Sequence, residues 1–570
     1  MTCLKSRTLC YGRAVTIDAA TENPPRVLVV GAGPVGLTVA SLLAARDVPV
    51  LVVERKPTTS DEAKAISIDD ESLRTFASAG LAETVLKIVV PGTGTRYFDR
   101  RGRPLFHAGG PTPVHRRGFP FKNQFAQPEL EAALLAALTG RPGVEVRFGT
   151  ELVAYAGQPD GTVSVSLRDI GSDRITTEPV SWVLGCDGGR STVRELAGIT
   201  MTGAGHDEVW LVVDTVGDHH RERYGMHHGD PLRPTVVVPG RDGRCRYEFL
   251  QHPGEIARDE RPAFDAVRRL VSPYRAITED QIERCTAYTF NAVVADTWRA
   301  GRVFLLGDAA HMMPPFAGQG LNSGIRDAAN LAWKLAGVLH GEFGERLLDT
   351  YESERKPHTV ETVRYSERLG RIVMTTSRVR ATVRDLVVRS VRLTARGRRY
   401  LSEMRFRPVA VHTDGVVAGR PHALTGREVP QPLVLVPPGL RPQRADTVLG
   451  DGFAILGVAV TPTAWRHVLA AFEGRLRAVA VDVVLGDRLP QPTPEYMSVA
   501  DADGALEAAL SEAEGHFLVV RPDRHVAAVF TADEAAGTAL RLADRLDRAA
   551  TVPPVLTKKS TSAGRATADG

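Results

Sequence analysis

The sequence predicts an α/β fold of two or three domains. The chain has 570 residues, 43% of them apolar, and a chain of this length exceeds what one hydrophobic core usually organises. Near its start, a strand, a glycine-rich turn, a helix and a second strand follow one another from Arg26, which is the order of a βαβ unit. Alternating strands fill the middle of the chain, and a mixture of strands and helices returns near its end. We therefore expect a Rossmann-like α/β domain, an antiparallel β-sheet domain and a smaller α/β domain.

The first domain is predicted from apolar runs that change from strand to helix spacing. The strand "RVLVV" leads through the turn "GAGPVG" into the helix "LTVASLLAARDV" and the strand "PVLVVE". Farther along, "FAQPELEAALLAAL" has helical spacing, while "VEVRF", "VSVSL" and "VSWVLG" are short strand-like runs bounded by turn residues. The buried strand "GRVFLLG" then precedes two predicted helices, at about 321–340 and 345–368.

The other segments predict a sheet, an arginine-rich helix and a C-terminal unit. Residues from about 207 to 284 contain the alternating strands "VWLVVDTV", "PTVVVP" and "RCRYEFL", typical of an antiparallel sheet. A helix predicted over 377–400 carries eight arginines and one aspartate, so it is either a solvated helix or a surface for an acidic partner or membrane. The proline-rich "VPQPLVLVPPGLRPQ" predicts a linker, and strands such as "GFAILG" and "HFLVVRPDRHVAAVF" follow it.

Composition excludes several classes of protein. The net charge is only +4, so we expect no nucleic-acid partner. No apolar run approaches the ~20 residues that span a bilayer, so we expect no membrane partner either. The five cysteines are scattered without a CxxC pair, which predicts no metal site and a reducing compartment, the cytoplasm. Residues 1–24 and 557–570 are predicted to be disordered.

Gly31, Gly33 and Gly36 form a G-x-G-x-x-G motif between the first strand and the first helix. In this motif the first glycine permits the tight turn, the second lets a pyrophosphate approach the backbone, and the third allows close helix–strand packing. Glu54 ends the second strand, where a carboxylate can accept hydrogen bonds from a ribose. A turn used only for packing would not need that acid. The pattern predicts a dinucleotide site without choosing between NAD and FAD.

Two further motifs narrow the choice. They are "CDGGRSTVR", from Cys186 to Arg194, and "GDAAHMMPPFAGQGLN", from Gly307 to Asn322. With "GAGPVG", these motifs make the chain resemble the single-component FAD-dependent aromatic hydroxylases (class A flavoprotein monooxygenases) over roughly residues 25–375. Details such as "AISIDDESLRTFASAGL" and "VVVPGRDGRCRYEFL" are similar to the branch that hydroxylates 3-(3-hydroxyphenyl)propionate and 3-hydroxycinnamate.

The resemblance implies a division of the chain. An FAD-binding domain would comprise residues 25–206 and 285–375, with a substrate-binding sheet domain inserted at 207–284. A helical region and linker would follow at 376–430, and then a thioredoxin-like domain at 431–556. That domain has no cysteine, so its role would be structural or in dimerisation, and a homodimer is a candidate assembly.

The resemblance also implies which residues bind FAD. Asp308 would bind the ribityl hydroxyls, and the helix from Leu321 would direct its positive N-terminus at the N1–C2=O edge of the flavin. Lys64 stands where the branch usually has arginine, so its phosphate contact would lack the bidentate fork. His311 is either a structural hydrogen-bonding residue or a catalytic one, and Gln127 either contacts the cofactor or caps its helix. The other implied cofactor residues are Gly31, Gly33, Gly36, Glu54, Arg55, Asp187, Arg194, Gly318, Gly320 and Asn322.

The strand "RCRYEFL" is the predicted wall of the substrate site. Alternation places Arg244, Arg246 and Glu248 on one face, which in an ordinary half-exposed strand would meet solvent. By the resemblance, Arg246 would instead lie toward the flavin ring and Glu248 nearer the substrate. The carbonyl of Pro315 would approach the reacting hydroxyl.

The implied reaction uses NADH or NADPH and O₂ to hydroxylate a small phenol ortho to its hydroxyl group. A propionate side chain would need a cation or hydrogen-bond donors in the site, because burying an unpaired carboxylate costs several kcal/mol. The candidates are Arg246, Arg244, and His227 or His228. Two alternatives remain at this point: a tailoring hydroxylase for a larger aromatic polyketide, and a non-catalytic flavin-binding protein.

Overall fold

The computed structural model describes residues 26–547, except for residues 63, 111–114, 116, 257–261, 487 and 492. The segments predicted to be disordered, 1–24 and 557–570, lie outside the described residues. Up to residue 402, the strands are β1 (Val27–Val30), β2 (Val50–Glu54), β3 (Ser67–Asp69), β4 (Val90–Gly92), β5 (Gly94–Phe98), β6 (Pro104–Gly109), β7 (Lys122–Gln124), β8 (Val144–Phe148), β9 (Thr150–Gly157), β10 (Val163–Asp169), β11 (Ile175–Val180), β12 (Trp182–Gly185), β13 (Met201–Thr215), β14 (Tyr224–His228), β15 (Thr235–Pro239), β16 (Cys245–Leu250), β17 (Ile282–Ala295), β18 (Arg299–Ala300), β19 (Val303–Leu305) and β20 (His311–Met312). The helices of this part are α1 (Pro34–Ala44), α2 (Asp70–Ser78), α3 (Ala82–Leu86), α4 (Gln127–Leu138), α5 (Thr192–Leu196), α6 (Phe264–Val271), α7 (Gly320–Leu339), α8 (Thr350–Val373), α9 (Arg378–Val391) and α10 (Ala395–Ser402).

The first sheet is the predicted Rossmann-like one. Its strand order is β18-β19-β12-β1-β2-β8, and all pairs except β18–β19 are parallel. β1 and β12 are buried along their whole length, as are the first four residues of β2, because helices cover both faces of such a sheet. The crossover from β1 to β2 through α1 leaves the glycine motif at the carboxyl ends of the strands, where open α/β sheets bind ligands.

The second sheet has eight strands in the order β20-β17-β13-β16-β15-β14-β5-β6. It is larger than the predicted range of 207–284, because β13 starts at Met201, β17 ends at Ala295, and β5 and β6 come from the N-terminal part of the chain. β14 pairs in parallel with β5, so the sheet is not wholly antiparallel. Pairing between strands so far apart in sequence leaves no local pattern, and this explains why the prediction was too short.

Two local predictions between residues 377 and 444 are wrong. The predicted single helix is two helices, α9 and α10, because the Thr394 hydroxyl accepts a hydrogen bond from the Gly397 N–H at 3.0 Å and caps a new helix. The predicted proline-rich linker contains a hairpin of two paired strands, 433–436 and 441–444. Its prolines are tolerated because the second strand lies at the edge of its sheet.

The C-terminal unit is the predicted smaller α/β domain. Its elements are β21 (Leu433–Val436), β22 (Arg441–Arg444), α11 (Ala445–Leu449), β23 (Phe453–Val458), α12 (Pro462–Phe472), β24 (Ala478–Val484), β25 (Met497–Asp501), α13 (Ala505–Leu510), β26 (Phe517–Val520), β27 (Val526–Phe530) and α14 (Ala535–Arg545). The strands form one mixed sheet in the order β22-β21-β25-β24-β23-β26-β27. Apolar side chains cover both of its faces.

A buried ion pair joins this unit to the rest of the chain. Both guanidinium nitrogens of Arg521 donate to Glu354 of α8 at 2.7 Å, and Lys334 of α7 donates to the same carboxylate at 2.7 Å. Trp333 of α7 packs edge-on against Phe453 of the C-terminal sheet. The two parts therefore share a buried interface. None of the helices in the described ranges is long and apolar enough to cross a membrane.

Candidate active site

A cavity of about 430 Å³ lies between the Rossmann-like sheet, the eight-stranded sheet and the small three-stranded sheet β3-β7-β4. Its wall combines the glycine turn after β1, the end of β2, one face of β14–β16, and the loop from Asp308 to Leu321. The size is within the range of small-molecule and cofactor sites. The candidate site is therefore formed by segments from across residues 30–321.

The three glycines of the G-x-G-x-x-G motif differ in what surrounds them. Gly31 has φ +103°, and a Cβ there would lie 2.5 Å from the Cys186 carbonyl oxygen. A Cβ at Gly36 would overlap the carbonyl oxygen of Gly31. A Cβ at Gly33 would meet no protein atom within 4 Å, and Gly33 lines the cavity and caps helix α1. This open space at a helix N-terminus suits the pyrophosphate of the predicted FAD.

Glu54 is held at the carboxyl end of β2 by backbone donors. Its carboxylate accepts hydrogen bonds from the N–H of Ala32 at 2.9 Å and of Lys56 at 3.0 Å. Arg55 and Lys64 also line the cavity, but both are exposed, and Lys64 pairs with Glu62 at 3.2 Å. The geometry is compatible with the predicted ribose contact of Glu54, while Lys64 lies at the solvent side.

The loop after β19 owes its shape to hydrogen bonds and to left-handed glycines, of which Gly318 lies at the cavity. Gly318 has φ +62°, and a Cβ there would lie 2.6 Å from the Ser67 hydroxyl. Asn322 donates to the Gly318 carbonyl at 2.7 Å and accepts from the Asp69 N–H at 3.0 Å. Through these bonds Asn322 fixes the loop to β3, and its contact with the cofactor stays a prediction. Helix α7 starts at Gly320, which lines the cavity with Leu321.

Asp308 points its carboxylate into the cavity. Its side chain is exposed there, and no described residue donates a hydrogen bond to it. The surrounding protein removes water from this carboxylate and raises its pKa above the ordinary value, an effect that His311 and Lys64 oppose. An acceptor in this position suits the hydroxyl groups of a ribityl chain.

His311 lies behind the loop and outside the cavity. It is fully buried, and its Nε2 lies 2.7 Å from an Asp327 carboxylate oxygen. That carboxylate also accepts from the Gly307 N–H at 3.1 Å and from Arg355 at 3.0 Å. This network ties the loop to helices α7 and α8, as expected for a structural histidine.

Asp187 and Arg194 mainly bond to the protein itself. The Asp187 carboxylate accepts from the Ser191 hydroxyl at 2.5 Å and the Val193 N–H at 3.0 Å, and one edge of the residue lines the cavity. Arg194 donates to the carbonyls of Ala309 at 3.1 Å and Gly189 at 2.9 Å. Arg194 therefore bridges two loops, and its contact with the cofactor stays a prediction.

The predicted substrate wall faces the cavity and not solvent. Arg246 and Glu248 line it and are buried, while Tyr247 packs in the core on the other face of β16. Arg246 makes a two-pronged ion pair with Asp214 at 2.6 and 2.8 Å and also donates to the Lys64 carbonyl. Burial raises the pKa of Glu248, although Arg246, 4.0 Å away, opposes the shift.

Pro315 and Gln127 line the cavity on other sides. The Pro315 carbonyl already accepts a hydrogen bond from the Gly318 N–H at 2.8 Å. Gln127 is buried at the start of α4, and its amide oxygen accepts from the Ala65 N–H at 2.8 Å. Burial excludes the exposed helix cap that the sequence left open for Gln127.

Three polar residues that line the cavity beside β5 and β14 complete the site. Lys122 and Gln124, on alternate positions of β7, were not predicted, and His227 was one of several candidates. Arg244, another candidate for a substrate carboxylate, does not line the cavity and pairs with Glu129 and Glu283. In the sequence, the alternating polar residues Lys122 and Gln124 just before the helix at Gln127 could have indicated that these two residues belong to the site.

Comparison with known proteins gives the family. Residues 25–366 match the FAD binding domain family, and residues 426–545 match the HcaD C-terminal domain family. The "3-(3-hydroxy-phenyl)propionate/3-hydroxycinnamic acid hydroxylase" of Mycolicibacterium smegmatis is 36% identical over 532 residues, covering 89% of this chain and 91% of that protein. The protein of the same name from Burkholderia cenocepacia is 36% identical over 533 residues, covering 91% and 96%.

Solved structures agree at the level of the fold. The flavin-dependent monooxygenase PieE, solved with FAD and substrate, has a TM-score of 0.74 at 23% identity and covers 93% of this chain and 100% of its own. Aklavinone-11 hydroxylase, solved with FAD and aklavinone, has a TM-score of 0.72 at 24% identity with the same coverage. The chain belongs to the family of FAD-dependent aromatic-ring hydroxylases.

Proposed function

We propose that the protein hydroxylates 3-(3-hydroxyphenyl)propionate or 3-hydroxycinnamate ortho to the phenol, consuming NADH or NADPH and O₂. The observation that carries the proposal is the cavity itself. A nucleotide-binding turn with an open Gly33 lies in one continuous space with the buried acid Glu248 and its neighbour Arg246. Relatives that carry this activity in their name are 36–38% identical over about nine-tenths of the chain.

FAD fits the residues present. Gly33 and the N-terminus of α1 would hold its pyrophosphate, Glu54 its ribose and Asp308 its ribityl chain, with the start of α7 beside the ring. When bound, FAD supplies the reduction of O₂ by NAD(P)H and the transfer of one oxygen atom to the ring. Positioning, exclusion of water and proton handling are left to the protein.

Glu248 would handle the phenol proton. It is buried with a raised pKa, so it can accept a proton or a strong hydrogen bond from the phenol near neutral pH. A phenol that shares its proton carries more electron density at the ortho carbon, which is the atom to be hydroxylated. Arg246 is fixed by Asp214 at 2.6 Å and would keep a positive charge close to the ring without moving.

The polyketide alternative has support only from fold. Aklavinone-11 hydroxylase, solved with aklavinone, is only 24% identical to this chain. A non-catalytic flavin-binding protein would not need the buried pair of Arg246 and Glu248.

We also propose a thioredoxin-like C-terminal domain and a cytoplasmic location, the latter because Cys186, Cys245 and Cys285 are free thiols. A homodimer stays a prediction.

The test is oxidation of NADH and of NADPH by the FAD-loaded protein with a panel of phenols, with hydrogen peroxide measured alongside. 3-(3-Hydroxyphenyl)propionate should stimulate oxidation with little peroxide and give the 2,3-dihydroxy product. Coupled turnover of a polycyclic phenol, with none of the acid, would replace this function by the polyketide alternative. Oxidation that no phenol stimulates would favour a flavin-binding protein.

A further inference from the structure

Lys122, on the cavity wall beside β5 and β14, is a half-buried cation. Its ammonium donates to the Thr95 hydroxyl at 2.7 Å, and no carboxylate of a described residue lies within ion-pair distance. An ammonium ion that is partly removed from water and has no carboxylate to pair with is costly. A lysine needed only for packing could be replaced by an apolar side chain of similar length. The charge therefore indicates an anionic ligand.

Two unpartnered polar atoms lie on the same part of the wall. His227 and Gln124 are 7% and 2% exposed, and both line the cavity. The His227 Nδ1 and the Gln124 Oε1 have no hydrogen-bond partner among the described residues. Buried polar groups in proteins are normally satisfied. The His227 Nδ1 can donate to an anionic ligand when it carries the ring proton, whereas the Gln124 Oε1 can only accept and is expected to bond to water. Burial lowers the pKa of His227, and the charge of the nearby Lys122 lowers it further.

The position of this group in the sheet sets its distance from Glu248. β5, β14, β15 and β16 are consecutive neighbours, with Gly225 opposite Thr95 and Val236 opposite both His227 and Glu248. Strands are spaced about 4.8 Å apart, so His227 lies roughly 10 Å from Glu248 across the same face. A phenol ring that carries a three-carbon acid side chain can extend over this distance.

We propose that Lys122, with His227, forms the subsite that binds the carboxylate of the substrate. The subsite rests on the proposed function, and it specifies a meta-hydroxyphenyl acid with its carboxylate near β5 and β14 and its phenol at Glu248. Arg246 is not the partner of the carboxylate, because it is already paired with Asp214. Burial lowers the pKa of Lys122 to about 8, so the ammonium is still mostly protonated at neutral pH.

The experiment compares 3-(3-hydroxyphenyl)propionate with its methyl ester in the wild type and in Lys122→Met, both loaded with FAD. Coupled NAD(P)H oxidation gives kcat and KM, and the change in flavin absorbance on titration gives Kd. The wild type should prefer the acid by roughly tenfold or more in kcat/KM. In Lys122→Met this preference should be lost, mostly through a higher KM and Kd for the acid, while the ester is used as before. Lys122→Arg should recover part of the preference.

Lys87→Met is the matched control, because Lys87 is exposed and lies outside the cavity wall. FAD content and melting temperature establish that each variant folds. If the wild type prefers the acid and Lys122→Met keeps that preference, the subsite is wrong and the proposed function stands. If Lys122→Met loses acid and ester equally, Lys122 acts in the fold or at the flavin. A wild type that binds and hydroxylates neither compound removes both proposals.

Discussion

Gly33→Ala and Gly36→Ala should have opposite effects on stability and on FAD binding, although they add the same methyl group to the same turn. Gly33 has φ −75° and ψ 179°, which alanine adopts freely, and its Cβ would meet no protein atom within 4 Å. Gly33→Ala should therefore fold with unchanged stability. At Gly36 the methyl would overlap the Gly31 carbonyl oxygen, so the backbone must move. We expect a loss of about 1–3 kcal/mol in the free energy of unfolding for Gly36→Ala, as for other overpacked cores.

The effect on FAD is reversed. A methyl at Gly33 occupies the space where the pyrophosphate would approach the helix N-terminus and would cost at least one charge-assisted hydrogen bond, about 1.5–3 kcal/mol. This corresponds to a dissociation constant for FAD roughly 10- to 150-fold higher. Apoprotein would be titrated with FAD and followed by flavin fluorescence, and urea unfolding of the apoprotein would give the stability. Wild-type FAD affinity in Gly33→Ala, or an apo Gly36→Ala as stable as the wild type, would refute this account of the turn.

Two further outcomes follow from charged side chains. Asp308→Ala should weaken FAD binding by about 1.5–3 kcal/mol. The FAD affinity of the wild type should fall as the pH drops through the raised pKa of Asp308, and Asp308→Ala should abolish this pH dependence. Equal flavin retention by both proteins after gel filtration would contradict this role. Arg521→Met should lower the free energy of unfolding by about 3–5 kcal/mol at pH 7, because it leaves Lys334 as the one cation paired with the buried Glu354 carboxylate among the described residues. By contrast, Arg420→Met, at a side chain 86% exposed, should cost less than about 1 kcal/mol. The pKa of Glu354 is held well below its usual range despite burial, so its contribution to stability is present above the unfolded pKa and is lost in acid. The loss of unfolding free energy in Arg521→Met should therefore shrink as the pH falls toward 4. A loss that does not depend on pH would contradict its origin in the ion pair.

The first sheet and much of the cavity could be predicted because their signals are local. Gly31, Gly33 and Glu54 lie in one continuous strand–turn–helix–strand segment, and the alternation around Arg246 correctly separated its two faces. Lys122 could not be ranked from sequence, because it faces a cavity only once β7 has paired with β3 and β4 and β5 has paired with β14. Asn322 and Arg194 were assigned to the cofactor on resemblance, while their side chains bond to protein backbone. The hairpin at 433–444 was hidden by prolines that are tolerated at a sheet edge.

Helix α7 connects the cavity with the C-terminal unit. It has 20 residues and is about 30 Å long. Its first turn lines the cavity at Gly320, and Trp333 and Lys334, farther along, are clamped to the C-terminal unit through Phe453 and Glu354. The direction in which the positive N-terminus of α7 points therefore depends partly on contacts with the C-terminal unit. Exchanging the C-terminal unit for that of a relative should shift the reduction potential of the bound flavin with every residue of the cavity wall left unchanged.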